Sequence, residues 1–371
     1  MDLHVFFGCR TGLDTYTDPE FGMELSWDIP LLDGYRHSFL NNWNRNPDPN
    51  RFSGVLNPGV LRILRGFDAV WVHGWSHATD WIAFAGAFLG GTPVLLRGES
   101  NGLREPHGLR GVAKRLILGR LLRSSACLLA AGTRNAAFYR SYGIPPDRIF
   151  DAPYTVDNDF FIARAKELHP CRAALRDREG IAPDLPVVLF CGKLVERKRP
   201  MDLLRAFASA SAQAPASLVF IGTGEQQPAL ERFVAEHHVT NVHFLGFRNQ
   251  AEISACYALA DLFVLPSTNE PWGLVVNEAM CFGLPVIVSD MVGAAPDLVH
   301  EGVNGYVFPA GDVENLSARL LSVLSDENLR QQMSRRSLEI VEQWGIPQTA
   351  AGIVAAVRHA AARRNSGGRY G

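Results

Sequence analysis

Glu270 and Glu278 stand with seven residues between them, in Glu270-Pro271-Trp272-Gly273-Leu274-Val275-Val276-Asn277-Glu278-Ala279-Met280. An ionised carboxylate only accepts hydrogen bonds and has two oxygens to do it with, which suits it to gripping vicinal hydroxyls. Backbone amides at Gly273, Leu274 and Val275 would face an anion if a helix opens there. Earlier, Gly192-Lys193-Leu194-Val195-Glu196-Arg197-Lys198-Arg199-Pro200 gathers cations on one short stretch. Lys193 and Lys198, with Arg197 beside them, could neutralise a diphosphate leaving group as its charge grows. His73, in Val72-His73-Gly74-Trp75, closes an apolar run. Each residue also has a plainer reading: Glu270 as a charge at a helix entrance, Glu278 and the basic stretch as solvated, His73 as an ordinary core or loop histidine.

The elements that hold these residues can be read from the hydrophobic pattern. Residues 261–265 and 285–289 read as buried strands, and the segment between them as a helix opened by Gly273 and closed by Gly283-Leu284-Pro285. Glu270 then falls on a loop at the carboxyl end of a strand, and Glu278 about a turn and a half into the helix. Around them, strands are expected at 187–191, 218–221, 242–245, 262–265, 286–288 and 306–308, with helices at 201–211, 228–237, 252–260, 274–282 and 313–324. In the first half, strands are expected at 3–8, 69–72, 92–96 and 125–130, and helices at 60–65, 79–89, 109–122 and 134–142. Such alternation predicts doubly wound parallel sheets, which bind ligands outside the carboxyl ends of their strands. Gly222-Thr223-Gly224 and Gly246-Phe247 fall at two further strand ends, where glycine permits close backbone approach.

The block from Glu270 to Glu278, with Pro-Trp-Gly-Leu after the first glutamate and Glu-Ala-Met at the second, resembles the hallmark of the family-four retaining glycosyltransferases. Gly192-Lys193-Leu194, followed by Lys198, is similar to that family's Gly-Arg-Leu segment and lysine, although lysine at 193 keeps the charge and loses the bidentate fork of arginine. The resemblance implies a GT-B fold, two Rossmann-like domains facing across a cleft. Its parts here would be an acceptor-side domain at 1–153, a linker at 154–186, a nucleotide-sugar domain at 187–345, and a helix at 346–371 crossing back to the first domain. It implies a UDP- or GDP-linked sugar donor, a glycan or lipid-linked acceptor, no cofactor, and a place in envelope or exopolysaccharide synthesis. By the same resemblance Glu270 and His73 meet the transferred sugar, Glu278 the ribose, Lys193 and Lys198 the departing diphosphate, residues Trp272, Gly273, Leu274 and Val275 the diphosphate, and Gly222, Gly224 and Phe247 the base.

Family members usually begin with a strand and a glycine-containing loop. The strand at 3–8 looks more like their second, so a missing first unit is expected. Two alternatives to a transferase follow: a catalytically impaired nucleotide-sugar-binding subunit, and a nucleotide-sugar epimerase of similar fold.

Composition bounds the rest. A formal net charge of −2 gives no reason to invoke nucleic acid, and 47% apolar residues with 20% charged are ordinary for a globular chain of two domains. Six scattered cysteines without a close pair read against a zinc site or disulfide framework and for a reducing cytoplasm. No apolar run has the length of a membrane span, and no signal-peptide pattern opens the chain. Asp157-Asn158-Asp159 could hold a metal on a nucleotide sugar, but Asx turns explain it more simply, so no metal ion is expected. His77, four residues after His73, could likewise pair with it at a metal, the weaker reading in the absence of a carboxylate partner. Residues 108–123 read as a basic amphipathic helix, able both to pack leucines on the sheet and to touch an anionic membrane surface, which would make the protein peripheral at the inner face of the cell membrane.

Overall fold

The computed structural model describes residues 1–13, 15–18, 23–25, 27–103 and 108–365, and the chain divides into two compact units. The first comprises 1–16, 30–153 and 347–371; the second comprises 17–29 and 154–346.

In the first unit, β1 (His4–Phe7) pairs in parallel with the strand Arg36–Phe39. Between these in sequence lie β2 (Tyr16–Asp18) and β3 (Met23–Leu25), which pair with each other and, from residue 17 on, belong to the second unit, so the strand Arg36–Phe39 is β4. A four-stranded parallel sheet follows in sequential order: β5 (Val70–His73), β6 (Val94–Arg97), β7 (Cys127–Ala130) and β8 (Ile149–Asp151). Helices Ala78–Gly90, Gly108–Ser124 and Thr133–Ser141 return the chain between strands and bury Phe84, Leu122 and Tyr139 in one core with Leu96 and Leu128. A second cluster joins Leu95, Cys127 and Leu129 to Ala356 and Ala360 of the last helix, Ile346–Asn365. Small residues let that helix come close: a Cβ at Gly352 would stand 1.7 Å from the Asp151 carbonyl oxygen.

The second unit is a six-stranded parallel sheet of β9 (Val187–Cys191), β10 (Ser217–Ile221), β11 (Val242–Phe244), β12 (Leu262–Leu265), β13 (Val286–Ser289) and β14 (Gly305–Phe308). Their order is β11-β10-β9-β12-β13-β14. The chain therefore starts at β9 in the middle, builds outward one way through β11, then returns to the other side of β9 with β12. That is the Rossmann order, and the reversal between β9 and β12 is its topological switch point. The inner strands β9, β10, β12 and β13 are short apolar runs because both faces are covered, as the complete burial of the neighbours Val188 and Leu189, Leu218 and Val219, Leu262 and Phe263, and Val286 and Ile287 shows.

The segment 154–186, expected to be a linker, is built differently. It carries helices Asn158–Leu168 and Arg172–Arg178 and belongs to the second unit. The guanidinium of Arg176 donates to the carbonyls of Pro183, Leu185 and Leu259 and, with Arg172, to the Asp261 carboxylate. This is polar anchoring to backbone at the foot of the sheet, which leaves no apolar periodicity to read. Asp157 caps the first of these helices by accepting from the Phe160 amide at 3.0 Å, so the acidic triplet has a local structural use. The helix Glu327–Val341 also went unread; it buries Met333 and Val341 on an otherwise polar cylinder.

Candidate functional site

The loops that follow β9, β10 and β11 are zipped together by main chain. Gly192 N–H donates to Ile221 C=O, Leu194 N–H to Thr223 C=O, and Gly222 N–H to Gly246 C=O, at 2.8–2.9 Å. The two glycines expected here are needed for this contact: a Cβ at Gly222 would stand 2.1 Å from the Gly192 carbonyl oxygen, and one at Gly224 2.5 Å from that of Leu194. Phe247 follows directly, half-buried.

Lys198 ends a short 3-10 turn, Glu196–Lys198, on the loop after β9. Glu270 lies on the loop after β12, which is fastened to the loop after β13: Gly293 N–H donates to Glu270 C=O at 2.9 Å, and Ala294 N–H to Trp272 C=O at 3.0 Å. Because β9 and β12 are neighbours, the two loops meet at the switch point, where Lys198 Nζ donates to Glu270 Oε2. Both side chains are nearly buried, 12% and 13% exposed. Thr268 N–H bonded to Arg197 C=O at 2.8 Å fixes the approach. Lys193, on the same β9 loop, donates to both carboxylate oxygens of Asp18 at 2.9 Å.

Gly273, in the left-handed region at φ 100°, turns the chain into the helix Leu274–Cys281. The first-turn amides at Leu274 and Val275 have no acceptor within the helix and carry its positive end. Glu278 accepts a 2.6 Å hydrogen bond from the Tyr257 hydroxyl. Burial pushes the Glu278 carboxyl above its ordinary range, and the Tyr257 hydrogen bond pulls the other way by favouring the ionised form. Tyr257 itself is pushed well up by burial, so it stays a donor.

The structure thus brings Lys198, Glu270, Lys193, Gly222, Gly224, Phe247, Gly273, Leu274, Val275 and Glu278 into one unit, around the carboxyl edge of one sheet. Trp272 is buried, its indole donating to Asn277 Oδ1 and packing beside Tyr154 and Trp344, so it anchors the loop from inside and offers a ligand its backbone, in keeping with the expectation that backbone amides of this stretch meet the diphosphate. His73 ends β5 in the first unit, with Nε2 3.9 Å from Glu99 Oε1. His77 caps the helix Ala78–Gly90 in a reciprocal box with Asp80 and turns its Nε2 to the Pro49 carbonyl. Sequence reasoning missed Tyr257 and Asp18. The first had a signal, a phenol within the apolar run Cys256–Leu259, since a buried tyrosine hydroxyl requires a partner.

The Tyr257 hydroxyl holds the Glu278 carboxyl in place, and its removal tests what that contact does. Tyr257→Phe leaves Glu278 without its donor, and nucleoside-diphosphate affinity should fall by about 1 kcal/mol, the scale of one hydrogen bond. Losing that bond raises the carboxyl pKa further, so as pH is lowered the variant should lose affinity at a higher pH than the wild type. Titration calorimetry at several pH values reads both effects; an unmoved pH profile would leave the phenol a packing role only.

Residues 172–339 match the family model described as glycosyl transferases group 1. N-acetyl-alpha-D-glucosaminyl L-malate synthase of Bacillus anthracis is 30% identical over 168 residues, 45% of this chain, and the match spans 43% of that protein's length. D-inositol 3-phosphate glycosyltransferase of Xylanimonas cellulosilytica is 27% identical over 326 residues, covering 84% of this chain and 76% of that protein. Among solved structures, Anabaena Alr3699/HepE in complex with UDP and glucose superposes with a TM-score of 0.67 at 18% identity, over 87% of this chain and 86% of that one. Sucrose-phosphate synthase from Thermosynechococcus elongatus gives 0.64 at 18% identity, over 88% and 89%. The fold these chains share is GT-B.

Proposed function

We infer that this chain, a GT-B protein whose residues 172–339 form a domain of the group 1 glycosyl transferases, moves a sugar from a nucleotide-sugar donor to a glycan or lipid-linked acceptor. The transfer retains the donor's anomeric configuration, needs no metal ion, and serves envelope or exopolysaccharide synthesis inside the cell. One observation carries the reading: a lysine and a carboxylate from two loops meet at the switch point of a Rossmann sheet, in the unit that also presents the first turn of the helix Leu274–Cys281 and the Glu278 carboxylate.

In this reading the diphosphate lies against the amides of Leu274 and Val275 and draws Lys198 and Lys193 as its charge develops. Glu278 accepts from the ribose diol, Phe247 with Gly222 and Gly224 borders the base, and Glu270 acts toward the transferred sugar. The reaction breaks the bond between the anomeric carbon and the diphosphate oxygen and forms one to an acceptor hydroxyl oxygen. The acceptor proton leaves with the diphosphate side.

UDP-glucose is the first donor to test, because a structural relative was crystallised with UDP and glucose. Incubation with UDP- and GDP-sugars, with and without candidate acceptors, should release nucleoside diphosphate and yield a product of the donor's anomeric configuration by NMR, with EDTA present. Sugar conversion without an acceptor would assign an epimerase. Tight nucleotide binding without turnover would assign a binding subunit.

Asp18 gives this reading a further consequence. Its carboxylate accepts from the Lys193 ammonium, so in this reading it competes with the diphosphate for that group. Asp18→Asn should therefore tighten UDP binding about threefold to tenfold, the equivalent of roughly 0.6–1.4 kcal/mol, and leave uridine binding unchanged. Weaker UDP binding in the variant would make Asp18 a positioning partner of Lys193 instead.

A further inference from the structure

The helix Gly108–Ser124 was expected to pack its apolar residues on the sheet, and it uses only some of them. Leu118, Leu121 and Leu122 point inward and are buried in the core beneath. Leu109, Val112, Leu116 and Ile117 point outward and are 89%, 57%, 66% and 57% exposed. The spacing of Leu109, Val112 and Leu116 puts them on one stripe, with Ala113 and Arg120 beside it and Ile117 at its margin. The helix therefore has two apolar faces, of which the fold covers one. Contiguous exposed apolar surface of this kind marks a place of interaction.

Charge chooses the partner. From 106 to 146 the chain has seven arginines and lysines and no acidic residue. Lys114 and Arg120 are exposed on the helix; the Arg110 side chain lies outside the described residues. Arg115 and Arg123 are tied to the neighbouring helix end, donating to the carbonyls of Ser141 and Tyr142. A protein partner would need an apolar groove rimmed with acids, whereas an anionic bilayer offers both features at once: acyl chains below and phosphates at the level of the cations. Lysine and arginine stems reach that level while their methylenes stay with the apolar stripe. No described helix is long and apolar enough to cross a membrane, so the contact is one of lying on the surface.

We propose that the outward face of the helix Gly108–Ser124 seats this protein on an anionic lipid bilayer, with Leu109, Val112, Leu116 and Ile117 among the upper acyl chains and Arg120 at the lipid phosphates. The inference stands apart from the donor site, and its test does not depend on turnover. The full chain is floated with vesicles of phosphatidylcholine alone or phosphatidylcholine mixed with phosphatidylglycerol. Flotation is expected with the mixed vesicles and to weaken with added salt. Leu116→Ser combined with Ile117→Ser should abolish it with the melting temperature unchanged, because both residues already face water. Arg120→Gln should lower partitioning by about fivefold. Equal flotation with both vesicle types, no flotation, or full flotation of the double variant would overturn the proposal. So would a dimer in solution that the double variant dissolves, which would assign the face to a second copy of the chain.

Discussion

Lys198→Ala is expected to lower the turnover of sugar transfer by about 10²–10³-fold, the loss typical of removing one preorganised group that stabilises charge in a transition state. The departing diphosphate gains negative charge as the bond to the sugar breaks, and Lys198 is a nearly buried cation held on the loop after β9. That cation is paired with the Glu270 carboxylate. In the proposed reading a bound donor redistributes the pair, drawing the ammonium toward phosphate and freeing the carboxylate for sugar hydroxyls. Because the interaction strengthens as charge develops, the loss should appear mainly in kcat, with a smaller change in KM. Lys198→Arg keeps the charge with a different shape and should recover part of the rate. Removing the lysine leaves Glu270 without this partner, so the melting temperature is measured alongside. A well-folded alanine variant that keeps wild-type kcat would reduce Lys198 to a structural partner of Glu270.

Glu278→Ala should weaken nucleoside-diphosphate binding by about 1.5–3 kcal/mol, the range for hydrogen bonds to a charged group. The carboxylate is expensive to keep in place, since burial pushes its pKa up and the Tyr257 hydroxyl only partly offsets that. A buried carboxyl with a single donor among the described residues, Tyr257, is suited to donors that arrive with the ligand, and the two adjacent hydroxyls of ribose supply two. The decisive comparison is UDP against its 2′-deoxy analogue by calorimetry. Wild-type protein should prefer the ribose form and the alanine variant should not. Equal discrimination in both proteins would remove Glu278 from the ribose, whatever happened to overall affinity.

The expected consequences divide by distance along the chain. Most strands and several helices of the second unit are legible because most of its strands are short apolar runs bordered by glycine or proline and several of its helices repeat on a 3.6-residue period. The strand 187–191 and the strand 262–265 match the observed β9 and β12 to the residue. Segments held by polar contacts to backbone left no such trace. Arg172 and Arg176 fasten their helix to the carbonyls of Leu259 and its neighbours, so 154–186 read as a linker. Likewise an apolar residue on the helix Gly108–Ser124 looks the same in sequence whether it meets the core, as Leu122 does, or water, as Leu116 does.

From residue types and local spacing alone came the two-domain α/β class, the Glu270 and Glu278 block with its glycine turn, and the cations after β9. Those features depend on interactions among near neighbours, which periodicity records. The strand order β11-β10-β9-β12-β13-β14 does not, and it is this order that brings Lys198 to Glu270 across 72 residues of chain. Tyr257 reaches Glu278 across 21 residues, and Asp18 reaches Lys193 across 175. Each of these pairs is made by sheet order and loop packing, long-range choices that a one-dimensional pattern of apolar and polar residues leaves open.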